Sequence, residues 1–237
     1  MSFLNLKKEL NRLANPQKAK LLQRFFKTGK GEYGEGDVFL GITVPQSRKI
    51  AIKFKNLDFV SIETLLKSKI HEERLIALLI LVHNFSRGDE DIKKQIYDFY
   101  LSNTKFINNW DLVDLSAYKI VGLYLLNRGP VKNIPFILVK LAKSKSVWER
   151  RIAVISTFQF IKNNRLSESL KIAQILLQDD HDLIHKAVGW MLREVGKKDL
   201  KTEIGFLDKH YKKMPRTMLR YAIERFPQKL RKSYLKN

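Results

Sequence analysis

Apolar residues at helical spacing, broken by short gaps, constrain this chain's fold more than any other feature. Leu6, Leu10 and Leu13 mark a first helix, and Leu21, Leu22 and Phe25 a second, with Pro16 dividing them. Pro45 fits the first turn of a helix reaching about Lys55. Helical patterns then follow at about 58–68, 71–84, 89–101, 109–127, 132–143, 147–162, 166–178, 182–196, 199–212 and 215–225. The gaps carry Asn, Asp, Gly or Pro, and no segment alternates as a strand does, so the chain reads as all-α. Residues 28–37 form a glycine-rich loop and residues 228–237 a short basic tail, within a single domain spanning 1–237.

A fainter repeat lies over this pattern. A basic residue, any residue, an aliphatic and a small residue recur at Arg48-Lys49-Ile50-Ala51, Arg74-Leu75-Ile76-Ala77, Arg150-Arg151-Ile152-Ala153 and Lys186-Ala187-Val188-Gly189. Arg74 and Arg150 are 76 residues apart, two steps of 38, and Lys186 follows Arg150 by 36. A looser copy, Arg220-Tyr221-Ala222-Ile223, follows Lys186 by 34. That pitch belongs to paired-helix repeats, which stack into a curved solenoid. The small residue permits close helix approach. The basic residue, at one height per repeat, predicts a concave basic face able to track phosphates, with Arg48, Arg150, Lys186 and, further along the last of these helices, Arg193 as DNA-binding candidates.

Composition narrows the partner. Forty-five Lys and Arg stand against 24 Asp and Glu, a net charge of +21, which points to a polyanion and above all to nucleic acid. The absence of cysteine excludes a disulfide framework, thiolate catalysis and cysteine-ligated zinc or iron–sulfur sites, and suits a cytoplasmic protein. Residues 1–10 carry charges inside their apolar pattern and lack a signal-peptide core. The longest apolar run, Leu75 to Val82, falls far short of the roughly 20 residues that cross a bilayer. No membrane association is expected.

Two motifs invite a different reading. Gly29-Lys30-Gly31-Glu32-Tyr33-Gly34 is a literal G-x-G-x-x-G, but it follows a helix, and two glutamates lie where a pyrophosphate would sit; a flexible linker is the better reading. No Walker A sequence occurs. His181 and His185, four apart beside Asp179, Asp180 and Asp182, have metal-ligand spacing, yet Asp180 or Asp182 capping the next helix explains the cluster more simply. No cofactor and no metal are expected.

The chemistry concentrates at Asn108-Asn109-Trp110-Asp111-Leu112-Val113-Asp114. Trp110 and Asp114 are four apart, which puts an indole and a carboxylate on one helix face. Trp190 follows Lys186 by four and precedes Arg193 by three, and Trp148 precedes Arg151 by three. Core packing is the alternative for all three indoles, and a helix cap or lysine pair the alternative for Asp111 and Asp114.

Four blocks together resemble the AlkD-like DNA alkylation repair family, the HEAT-repeat DNA glycosylases. They are Phe39-Leu40-Gly41-Ile42-Thr43-Val44-Pro45, Trp110-Asp111-Leu112-Val113-Asp114, Trp148-Glu149-Arg150-Arg151-Ile152-Ala153 and Lys186-Ala187-Val188-Gly189-Trp190-Met191-Leu192-Arg193-Glu194. The resemblance runs from about residue 39 to 225. It implies a right-handed superhelical solenoid holding double-stranded DNA in its concave face, and excision of cationic N3- or N7-alkylated purines. Carried over by position, Asp114 is the catalytic carboxylate, Trp110 and Trp190 are aromatic plates around the lesion, and Arg151 contacts DNA. Asn108-Asn109 depart from the bulkier neighbour expected before Trp110, and the 28–37 loop looks like an insertion.

A cationic base leaves as a neutral one, so the site needs less acid catalysis than stabilisation of an oxocarbenium-like sugar and a placed water, both within reach of one carboxylate. The expected protein is a monomeric, cytoplasmic, nucleoid-associated glycosylase acting on alkylated double-stranded DNA. The rival is a non-catalytic HEAT-like module binding nucleic acid through the same basic stripe.

Overall fold

The structure, a computed structural model, describes residues 2–128 and 135–236. Their regular structure is helical, apart from one isolated parallel bridge between Val38 and Ile70. Contacts group the chain into two compact units, Met1–Ser116 and Ala117–Asn237.

The first unit contains α1 (Phe3–Leu13), α2 (Pro16–Phe25), α3 (Val44–Lys53), α4 (Phe59–Leu66), α5 (His71–Phe85), α6 (Glu90–Ser102) and most of α7 (Trp110–Ala117). Side-chain oxygens of Asn15, Asp58 and Asp89 accept amide N–H groups that helix geometry leaves unpaired at α2, α4 and α6. Thr43 and Gln46 form a reciprocal capping box at α3, with Pro45 in its first turn. The apolar run of α5 is buried from Leu75 to Leu81, with α3 and α4 packed on it.

In the second unit, Tyr118–Gly122 forms a π-helical turn leading into α8 (Leu123–Asn127). There follow α9 (Phe136–Ala142), α10 (Val147–Lys162), α11 (Ser167–Ile175), α12 (Asp182–Lys198), α13 (Leu200–His210), α14 (Arg216–Ala222) and α15 (Gln228–Leu235). The expected helix at 132–143 begins in residues outside those described. Helix α10 packs against α9, α11 and α12, and α12 against α13 and α14. The segment 228–237, expected as a bare tail, is helical over Gln228–Leu235, because Tyr234 is buried and donates to Asp208 Oδ1 at 2.6 Å.

The small residues of the faint repeat do what their size predicts. Ala51, Ala77, Ala153 and Ala222 are buried at helix contacts. At Gly189 a Cβ would come within 2.5 Å of the Met218 carbonyl, so α12 and α14 approach as closely as backbones allow.

The basic residues of that repeat behave differently from a uniform stripe. Arg74 donates to the Ser68 carbonyl and pairs with Asp37 at 2.6 Å. Arg150 donates to the Ser144 carbonyl, again six residues back, and pairs with Asp179 at 2.6 Å. Both guanidiniums staple the loop that precedes their own helix. Only a fork of donors reaches a carbonyl and a carboxylate together.

Candidate active site

Trp110 opens α7 at the edge of a ring cluster in which His71, Phe39 and Phe26 all touch one another, His71 and Phe26 at 4.9 Å. His71 stacks on Phe39 (centroids 4.5 Å apart, planes at 21°), Phe39 on Phe26 (5.0 Å, 23°), and Phe26 on Trp110 (5.2 Å, 15°). Phe25, an exposed ring, meets Trp110 edge-on at 5.9 Å. The four rings come from α5, the 39–43 turn, the residue that ends α2, and α7. One face of the half-buried indole is thereby fixed by protein.

Beneath the cluster lies a buried ion network. His71 Nε2 is 2.8 Å from Asp111 Oδ2, and Nδ1 is 3.3 Å from Asp37 Oδ2. Asp37 also receives Arg74 at 2.6 Å and the Asn109 amide at 3.2 Å. Burial opposes charge on His71, but Asp111 and then Asp37 outweigh it, and the imidazole is pushed up to about 8. Burial also opposes the Asp37 charge, yet His71 and Arg74 together hold its carboxyl below the usual aspartate value. Asn109 is fully buried, and its Oδ1 accepts the Trp110 N–H at 2.8 Å. The asparagine before the tryptophan is therefore a structural tie between α7 and the loop.

That loop is neither a cofactor cradle nor a slack linker. It lies outside any βαβ unit, and its own glutamates engage its amides: Glu32 Oε2 accepts Gly29 N–H and Glu35 Oε2 accepts Gly31 N–H, each at 2.8 Å. A closed series of turns results, and it delivers Asp37 to His71.

The residues that open α5, His71-Glu72-Glu73-Arg74, are all buried. Glu72 accepts the amides of Leu40, Gly41 and Ile42 at 2.8–3.1 Å. Gly41 has φ +82, and a Cβ there would lie 2.2 Å from the Asn15 carbonyl, so this turn requires glycine. Glu73 pairs with Lys7. An open apolar pocket of about 340 Å³ adjoins the cluster, walled by Leu21, Leu22, Ile42 and Leu75 and reached by His71 and Asp111.

Asp114 stands one turn after Trp110, half-buried. Tyr100, fully buried with its hydroxyl 2.9 Å from Ser116 Oγ, ionises only well above the usual tyrosine range; burial is the main cause and the Asp114 charge adds to it. The carboxylate thus lies near Tyr100, on the same helix as the indole.

In the second unit, Tyr118, Phe158 and Trp190 form another ring row, with centroids 5.3 and 5.8 Å apart. The Lys162 ammonium sits over both Tyr118 (5.3 Å) and Phe158 (4.9 Å). Trp190 Nε1 donates to Glu194 at 3.1 Å. Arg193 pairs with Glu224, and Lys186 with Asp182 at 2.6 Å. Arg151 is buried, with its guanidinium donating to the Leu183 carbonyl, and Arg150 holds Asp179. Arg48 is exposed on α3, and Trp148 is half-buried. His181, rather than Asp180 or Asp182, caps α12, its Nδ1 accepting the Leu183 N–H at 3.2 Å; His185 Nε2 meets the Asp179 carbonyl. Among the described residues no three His, Asp or Glu side chains are grouped to hold a metal ion, and no helix is long and apolar enough to cross a membrane.

Asp37, His71 and Phe26 escape the sequence reading, and Arg74 and Phe39 enter it only as a repeat position and as part of a family block. The one available signal is the run His71-Glu72-Glu73-Arg74 directly ahead of the longest apolar run, where a solvated face would have interleaved them with apolar positions.

The described residues fold as helices that place a buttressed indole and a carboxylate on one helix, and comparison of the whole sequence supplies the class. The profile of a family described as DNA alkylation repair enzyme matches residues 6–226. The chain belongs to that family. Its fold resembles that of a predicted DNA alkylation repair enzyme from Enterococcus faecalis, with a TM-score of 0.71 and 16% identity, covering 91% of this chain and 97% of that one. It also resembles AlkD2 from Streptococcus mutans, with a TM-score of 0.56 and 19% identity, covering 90% and 98%. No curated protein matches the chain in sequence.

Proposed function

We propose that the protein is a DNA glycosylase that hydrolyses the N-glycosidic bond of cationic N3- or N7-alkylated purines in duplex DNA. The observation that carries this reading is the pairing of Trp110 and Asp114 on α7, with the indole clamped by Phe26, in a repair-family chain of net charge +21. In the reaction the C1′–N bond breaks and its electron pair passes to the purine, which leaves neutral. Asp114 stabilises the sugar cation and orients a water, whose oxygen bonds C1′ while its proton passes to the carboxylate and on to solvent. Trp110 and Trp190 face the cationic lesion, each contributing on the order of 0.5–2 kcal/mol of cation–π attraction.

Arg48 and Lys186 are the phosphate contacts in this proposal. Arg150, Arg151 and Arg193 hold protein partners and act on DNA through the surface they order.

The test is release of methylated base from alkylated duplex DNA. Asp114→Asn should lose at least a hundredfold in kcat, by analogy with removal of one transition-state stabilising group, and retain DNA binding. Release by the variant at the parent rate refutes the role of Asp114. Salt-sensitive binding with no release, indifferent to Asp114, assigns the chain to the non-catalytic binding class.

A further inference from the structure

We propose that His71 is a positioning residue for Trp110, setting the indole plane through the Phe26 ring, which both residues touch, and through its bonds to Asp111 in the first turn of α7 and to Asp37, which holds Asn109. The inference rests on the proposed role of Trp110 but is read out on the indole itself. Both routes start from one imidazole. Its ring lies 4.9 Å from Phe26, itself 5.2 Å from Trp110, and its Nε2 faces Asp111, the residue next to Trp110, at 2.8 Å.

The arrangement depends on the proton count of that ring. A doubly protonated imidazole donates from both nitrogens, to Asp111 and to Asp37. A neutral one donates from a single nitrogen and turns a lone pair towards the other carboxylate. Asp37 keeps Arg74 and Asn109 whichever state holds. Asp111 Oδ1 has only the N–H of Leu112. The proton therefore leaves Nδ1, where Arg74 at 3.5 Å can donate to the bared lone pair, while Nε2 keeps Asp111. Its loss loosens the Asp37 side, which reaches Trp110 through Asn109, whose amide bonds Asp37 and whose Oδ1 accepts the Trp110 N–H.

The charged groups facing His71 are Asp37 from the loop, Asp111 from α7 and Arg74 from its own helix. Glu72 beside it is engaged by the 40–42 amides, the end of α2 contributes the Phe26 ring, and Lys18 stands at the rim of the shared pocket. That pocket, open to solvent and lined by both His71 and Asp111, gives the buried imidazole a path for proton exchange.

The experiment follows the three indole Nε1–H resonances of the full chain by NMR from pH 6 to 9.5, with Trp110 assigned by its loss in Trp110→Phe. The expected result is a Trp110 shift with a midpoint within about one unit of 8, not followed by Trp148 or Trp190. The midpoint should vanish in His71→Gln and fall to lower pH in Asp111→Asn, which removes the carboxylate that most raises the imidazole while leaving the histidine. Base release should follow the same midpoint in kcat with KM for DNA unchanged. A Trp110 resonance that stays fixed while His71 itself titrates overturns the proposal, and the parent alone decides this if either variant fails to fold. A Trp110 midpoint in a protein that releases no base supports the positioning role and counts against the glycosylase reading.

Discussion

Glu203 on α13 is 1% exposed, its Oε1 has no hydrogen-bond partner, and its carboxyl packs against Gly196. Burial pushes it from the ordinary 4.5 up to about 8, against the opposing pull of Arg193. At pH 7 the folded protein therefore holds a proton that the unfolded chain releases. That cost spans two and a half pH units at about 1.36 kcal/mol each, roughly 3 kcal/mol. Because the folded value is raised for an acid, stability falls as pH climbs from 4.5 to 8 and levels off beyond. Glu203→Gln supplies a neutral side chain of nearly the same shape. Setting aside about 1 kcal/mol for imperfect hydrogen bonding of the amide, the variant should be more stable than the parent by about 2 kcal/mol at pH 7. At pH 4, where both states hold the proton, only the amide's cost remains and the variant should be less stable by about 1 kcal/mol. Urea unfolding followed by Trp190 emission at half-unit steps from pH 4 to 8.5 measures the difference. Parallel stability curves over that range would falsify the reasoning, because a glutamate ionised alike in both states adds no slope.

Two further perturbations separate structure from DNA contact. Phe26→Ala removes the middle of the ring cluster and should cost about 3–5 kcal/mol; acrylamide quenching of Trp110 in a Trp148→Phe/Trp190→Phe background should rise, whereas unchanged quenching would show that the cluster does not hold the indole. Lys186→Ala should lower the salt dependence of DNA binding by about one unit of log–log slope. Arg150→Ala should leave that slope alone and cost about 3 kcal/mol of stability by stranding Asp179, with titrations at several salt concentrations and denaturant melts distinguishing the two.

The helices were legible because their signal is local. Pro16, Pro45, the capping residues and the apolar spacing each act within a turn or two, and the expected 147–162 coincides with α10. The small positions of the repeat were readable for the same reason, since a residue without bulk meets a neighbouring helix whichever neighbour it is. Side-chain partners were not legible. Arg74 and Arg150 look like phosphate contacts until Asp37 and Asp179 are seen opposite them, 37 and 29 residues away. Trp110 and Asp114 could be placed on one face from their spacing, but the ring cluster behind the indole joins four separate segments. The 28–37 loop was misjudged because its use lies in one residue, Asp37, whose partners are 34 and more positions further along.

The charged head of α5 has a consequence for how this half of the molecule tolerates change. Its four side chains reach Lys7, the loop after α2, the turn at 40–42 and the start of α7. Replacing Asp37 alone strands the Arg74 guanidinium in a dry interior, a loss of about 3–5 kcal/mol. Such a hub can drift only by concerted exchange of both ends of a contact, so grafts or truncations that take α5 without those four segments should yield an unstable fragment.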